Sequence, residues 1–299
     1  MLALRNSLRL LLAHPLTHRR PWFVVKRVAR WQIASRLLGG GFLVDFVGGT
    51  RLLVEHGMTG ATGNVYYGLH EFSTMAFVVH FLRDGDLFAD IGANIGSYSI
   101  LASGIARARS FAYEPAPAAI RHLEDNIYLN RLGALVTIRA TALGPAPGVV
   151  RFTTNLDAVN HVALDSDPVS FSFECPVVRL DDDVEETPSL IKLAVHGFDA
   201  DVLSGAPLIL ASPQLQAVIV DLNGQGQKYG RGDEDVRDIL RDNAFSRAIY
   251  DPLTRRLEAL TGPRPAKKLT GKEIWVKDWQ LAADRLREAP AISVLGRAV

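Results

Sequence analysis

The chain has 299 residues, 48% of them hydrophobic, which is long enough to bury a substantial core, and its single cysteine excludes an internal disulfide. A formal net charge of +1 gives no overall pull toward nucleic acid or acidic partners, so a nucleic-acid substrate is not expected. No Cys/His spacing suits structural zinc, no metal site is expected, and with no targeting stretch the location expected is cytoplasmic.

Residues 1–63 read as a basic extension. No acidic residue precedes Asp45, whereas Arg5, Arg9, Arg19, Arg20, Lys26, Arg27, Arg30 and Arg36 are all basic. Residues 8–13 are too short, and too interrupted by Arg9, to span a membrane or act as a signal peptide. Residues 22–38 pattern as a helix with Val24, Val28, Trp31 and Leu38 on one side. Such a helix caps the main domain, makes a dimer contact, or lies peripherally on an anionic membrane. Residues 42–46 and 50–54 flank Gly48-Gly49 and predict a hairpin. Residues 64–299 form the main α/β domain, and residues 64–71 lead into its first helix.

The segment DGDLFADIGANIGSYSILAS, residues 84–103, is the most informative. Leu87, Phe88, Ala89 and Ile91 form a buried parallel strand, and Tyr98, Ile100 and Leu101 begin a helix. Gly92 and Gly96 bracket a turn in which a ligand can approach the backbone closely. No Lys follows Gly96, so this is not a Walker loop, and Asn94 stands where a dinucleotide fingerprint needs its second glycine. The remaining pattern, D-x-G-x-x-x-G, offers Asp90 to an ammonium group or water as well as backbone donors, which suits the aminoacyl end of S-adenosylmethionine. A plain strand-to-helix connection is the alternative. Residues 110–113 form a second strand ending in Glu114-Pro115, and a helix follows through Ile120, Leu123, Ile127 and Leu129. In a doubly wound sheet Glu114 then stands at the neighbouring strand tip, where a carboxylate binds both hydroxyls of a ribose; otherwise it is a solvated strand end.

Residues 136–142 read as a third strand, with backbone groups of Ala142 near the adenine, and residues 148–154 as a short excursion. Residues 155–172 form a polar loop over the carboxyl edge, carrying His161 as a second candidate base. Cys175 lies among apolar residues and reads as a buried, inert thiol. His196 follows a fourth strand, residues 217–220 read as the fifth, and Asp221 ends the latter ahead of Gly224. Residues 233–243 form a helix, and residues 245–250 and 273–276 an antiparallel closing pair. Arg255, Arg256, Lys267, Lys268 and Lys272 read as a solvated basic connection, or as a contact for a phosphorylated acceptor.

Taken together, DIGANIGSYSILA, FAYEPAPAAIRHLEDNIYLN, ALG, RLDD and IKLAVHGFDADVLSGA, between residues 90 and 206, make the chain resemble FkbM-type S-adenosylmethionine-dependent methyltransferases. The resemblance covers about residues 64–279. It implies a Rossmann-like class I methyltransferase fold, S-adenosyl-L-methionine as cofactor, and methylation of a hydroxyl on a sugar, glycan or secondary metabolite. It also suggests Glu71 as a pocket residue. The cofactor-binding residues expected are Asp90, Gly92, Asn94, Gly96, Glu114 and Ala142.

The chain departs from the family pattern K-x-D-x-E-G, since Ala194 and His196 replace the two carboxylates. A histidine can take a hydroxyl proton as the methyl group arrives, and Asp221 stands where relatives tend to carry an acid, so His196 and Asp221 are the catalytic candidates. A structural histidine and a turn aspartate are the plainer readings. Loss of both carboxylates also fits a degenerate member that binds the cofactor without turnover, whereas the glycine spacing disfavours a nicotinamide oxidoreductase.

Overall fold

Runs of apolar residues that need cover on both faces set the architecture. The computed structural model describes residues 14–154, 160–262 and 271–299. Helix α1 (Pro21–Leu37) and the hairpin β1 (Phe42–Asp45), β2 (Arg51–Val54) come first, followed by α2 (Thr59–Tyr67) and α3 (Phe72–Phe81). The core alternation is β3 (Leu87–Ile91), α4 (Ser97–Ile100), β4 (Arg109–Tyr113), α5 (Pro117–Leu129) and β5 (Val136–Arg139). An excursion, β6 (Ala142–Leu143), β7 (Gly148–Thr153) and β8 (Ser172–Val178), forms its own small sheet before α6 (Leu180–Asp183). The chain then returns through β9 (Leu190–Leu193), α7 (Asp199–Ser204), α8 (Pro207–Ala211), β10 (Ala217–Asp221) and α9 (Asp233–Asp242). It closes with β11 (Ser246–Asp251), β12 (Arg256–Ala259), β13 (Lys272–Val276) and α10 (Trp279–Glu288).

The main sheet runs β12-β11-β13-β10-β9-β3-β4-β5, parallel from β10 to β5 and antiparallel where β13 meets β10 and β11. The expected Rossmann-like α/β fold, a mostly parallel sheet with an antiparallel closing pair, is present. The chain reverses its winding between β3 and β9, which opens a crevice at the carboxyl ends of those strands. Alternate side chains of one strand feed two core layers: Phe88 and Ile219 pack on the α3 side, Ala89, Ile91, Val218 and Val220 on the α7–α9 side.

Four expectations change. Residues 136–142 are not one strand, because the chain leaves the main sheet after Arg139 and Ala142 pairs instead with Val177 of β8. Residues 59–67 are helical, and β12 adds an edge strand within the basic connection. In the extension, Val24 and Trp31 are buried as expected but Leu38 is exposed, and Leu16 and Trp31 share the α3-side core. Residues 8–13, Arg5 and Arg9 lie outside the described residues, as do Lys267, Lys268 and the first part of the 155–172 loop. Among the described residues no helix is long and apolar enough to cross a membrane.

Candidate functional site

The crevice holds a cavity of about 390 Å³, within the range of small-molecule sites. Gly92, Asn94, Glu114 and Ala142 line it on one side, His196 and Asp221 on the other. Gly92 has φ +74°, and a Cβ there would meet the carbonyl oxygen of Ala194 at 2.3 Å, so the turn after β3 is pressed against the turn after β9 with no room for a side chain. Asn94, also at positive φ, presents its N–H to Glu114 Oε2 at 2.8 Å. Glu114 Oε1 accepts from Ala116 N–H at 3.0 Å. Glu114 is therefore no solvated strand end: it is 7% exposed, and burial pushes its carboxyl up despite those two bonds.

Two expected cofactor residues stand behind the cavity wall. Asp90, fully buried, accepts from the Ser99 amide at 3.0 Å and hydroxyl at 2.7 Å rather than facing a ligand ammonium. Lys192 Nζ lies 3.1 Å from Asp90 Oδ1, an ion pair by distance, and donates to the carbonyl of Gly92, 2.6 Å away, and to that of Ile91 at 3.3 Å. Gly96 admits α5, since a Cβ there would meet Leu123 Cδ1 at 2.5 Å. The turn's own N–H groups are largely used, those of Gly92 and Ala93 by Tyr113 O and that of Ile95 by Asn94 Oδ1.

The opposite wall carries a charged chain that the sequence did not announce. Asp221 Oδ2 accepts from Lys272 Nζ at 3.0 Å, and the same ammonium lies 3.2 Å from Glu71 Oε1. Tyr98 donates to Glu71 Oε2 at 2.7 Å, with Thr74 Oγ1 2.7 Å from the phenol oxygen. Lys272 is buried, not part of a solvated connection. Burial pulls its ammonium down, but Glu71 and Asp221 outweigh that and the net shift is upward. Arg255 is likewise structural, donating to the carbonyls of Leu286 and Val299. His70 also lines the cavity; its Nδ1 is buried without a hydrogen-bond partner, and burial lowers its pKa, which keeps the ring neutral. The local sequence carries no signal for it. His161 lies 3.3 Å from Asp167 and off the cavity wall, although its neighbours Asn160 and Val162 reach it.

His196 sits at φ 54° and Gly197 at φ 99°, where a Cβ would meet Gln225 C at 2.5 Å. Asp199 Oδ2 pins this turn by accepting from Gly197 N–H at 3.0 Å. Burial raises the Asp199 carboxyl from 3.8 to about 6. The folded chain therefore binds that proton more tightly than the unfolded one. The stabilisation is complete below about pH 4 and lost as pH rises through about 6. Asp199→Asn should be about 2 to 3 kcal/mol more stable than wild type at pH 7 relative to pH 4, as read by urea unfolding at the two values. An unchanged pH dependence would remove this assignment.

The chain matches no protein-family model and no curated protein. Among solved structures it is similar to methyltransferase FkbM from Methylobacillus flagellatus KT, at 13% identity and a TM-score of 0.46, over 85% of this chain and 59% of that one. It thus spans less than two thirds of that protein's length. It is similar also to precorrin-6y C5,15-methyltransferase from Geobacter metallireducens GS-15, at 14% identity and a TM-score of 0.37, over 68% of this chain and 84% of that one. An rRNA methylase from Streptococcus thermophilus matches at 10% identity and a TM-score of 0.38, over 68% of this chain and 91% of that one.

Proposed function

We propose that the chain is an S-adenosyl-L-methionine-dependent methyltransferase of the FkbM type, acting on a hydroxyl oxygen of a sugar, glycan or secondary metabolite. One observation carries this reading: the close-pressed Gly92 turn, the buried acid Glu114 at the next strand tip, and a wall bearing a histidine and an ion-paired acid all line one cavity. In this reading Glu114 takes the ribose hydroxyls, the space left open beside the side-chain-free Gly92 turn receives the aminoacyl end, and the Ala142 backbone meets the adenine edge. The bound sulfonium supplies an activated methyl group, so the chain's own residues need only place the acceptor in line and take its proton. His196 is the base, and Asp221, held by Lys272, orients the acceptor hydroxyl.

Removing a general base costs roughly 10²- to 10⁴-fold, so His196→Ala should lower turnover by that order at saturating cofactor. Asp221→Asn should lower it by about tenfold with a higher KM, one hydrogen bond to a charged group being worth about 1.5 kcal/mol. Near wild-type rates in both would remove these roles, and a loss confined to His70→Ala would move the base there. Incubation of a cell extract with methyl-labelled cofactor tests the acceptor class: label should enter the glycan or small-metabolite fraction, and label in RNA would overturn it. Ala194 and His196, in place of two carboxylates, favour a second reading in which the chain binds the cofactor without turnover; binding heat with no transfer to any fraction would establish it.

A further inference from the structure

We infer that the outer face of α1 docks the protein on an anionic lipid bilayer. The helix is apolar on two sides, and only one is used internally. Its inner side buries Val24 and Trp31, and Arg27 Nε donates to Val65 O of α2 at 2.8 Å. On the other side Trp22 is 76%, Ile33 59% and Leu37 77% exposed. The helical repeat places Trp22, Ile33 and Leu37 on one line along the helix, with Lys26 within that line, Arg30 on one flank and Arg36 on the other, all exposed.

An aromatic ring and aliphatic side chains in line, flanked by cations, match the boundary between headgroups and acyl chains, where Trp sits at the headgroup level. Charge complementarity selects the lipid. No acidic residue precedes Asp45, whose carboxylate lies 3.8 Å from Arg51. The electrostatic attraction therefore acts on an anionic surface. A second copy docking by the same patch would bring two sets of Lys26, Arg30 and Arg36 into one interface with no acidic residue of the helix to offset them, a like-charge contact. α1 packs on α2, whose Ala61 and Asn64 line the cavity, so bilayer docking holds one wall of the site near the membrane. The inference stands apart from the methyl-transfer reading, because no cavity residue enters it.

Deleting the arm is no test, since Val24 and Trp31 belong to the buried interior. The full chain should instead be sedimented with phosphatidylcholine vesicles and with vesicles containing phosphatidylglycerol. The expected result is binding to the anionic vesicles, at least about tenfold weaker to the neutral ones and after Lys26→Glu/Arg30→Glu. The Trp22→Ser/Ile33→Ser/Leu37→Ser variant, folded by circular dichroism, should lose binding as well. Undiminished sedimentation of either variant, or equal binding to both vesicles, would overturn the inference. So would a dimer that the triple variant dissociates while wild type ignores vesicles. Cofactor titration of the same variants should be unchanged, which keeps this outcome separate from the catalytic reading.

Discussion

Glu114→Ala is expected to weaken S-adenosylmethionine binding by about 3 kcal/mol, roughly a hundredfold in Kd. The carboxylate does two jobs at once. It fixes the turn through the Asn94 and Ala116 amides, and its position at the cavity wall offers the same oxygens to a diol. Bonds from neutral donors to a charged, buried acceptor are among the stronger ones, and truncation also leaves the Asn94 N–H without its acceptor. A pH effect accompanies this. Burial raises the Glu114 carboxyl, so protonation on acidification favours the folded chain without cofactor, whereas ribose capture needs the carboxylate. Affinity should therefore fall as pH drops toward that raised value, and Glu114→Gln should bind weakly with little pH dependence. Calorimetric titration across pH checks both; wild-type affinity in Glu114→Ala would exclude the ribose role.

Lys192→Met should destabilise the fold by about 3–5 kcal/mol. The Lys192 side chain is 6% exposed and that of Asp90 0%, so removing the ammonium leaves a carboxylate inside the sheet with only the Ser99 bonds. It also removes the donor that holds the Gly92 carbonyl, and the turn's register against Ala194 depends on that contact. For a domain of this size the thermal midpoint should fall by roughly 10 °C. Asp90→Asn/Lys192→Met should recover much of the loss, because the uncompensated charge goes with its partner. Urea unfolding of the three variants measures this; a loss under about 1 kcal/mol in Lys192→Met would show the pair to be energetically idle.

What could be read from the sequence was what is contiguous in it. The turn after β3, the acid after β4 and the strand alternation are local patterns, and each stands where the spacing placed it. The charged wall is different: Glu71, Tyr98, Asp221 and Lys272 come from four separate elements and meet only because the sheet orders them. Asp221 and Lys272 are direct register partners across the antiparallel pair β10 and β13. Read in sequence, Lys272 follows Lys267 and Lys268 and looks like one more solvated cation. Lys192 shows the same limit, since its partners Ile91 and Gly92 belong to a strand far away along the chain. α2 escaped notice because Gly60 and Gly63 weaken its helical pattern, and it is packing against α1 that holds it. Asp90 shows a related limit: nothing local to the strand announces that Ser99 donates to it or that Lys192 lies 3.1 Å away.

In the proposed function the cavity between the Gly92 turn and the Asp221 wall receives S-adenosylmethionine with its ribose on Glu114. Isothermal titration of the wild-type chain with this cofactor tests it most directly. The expected result is saturable one-to-one binding in the micromolar range, competed by S-adenosylhomocysteine and lost in Glu114→Ala. No heat with S-adenosylmethionine, or heat with a nicotinamide dinucleotide in its place, would contradict it.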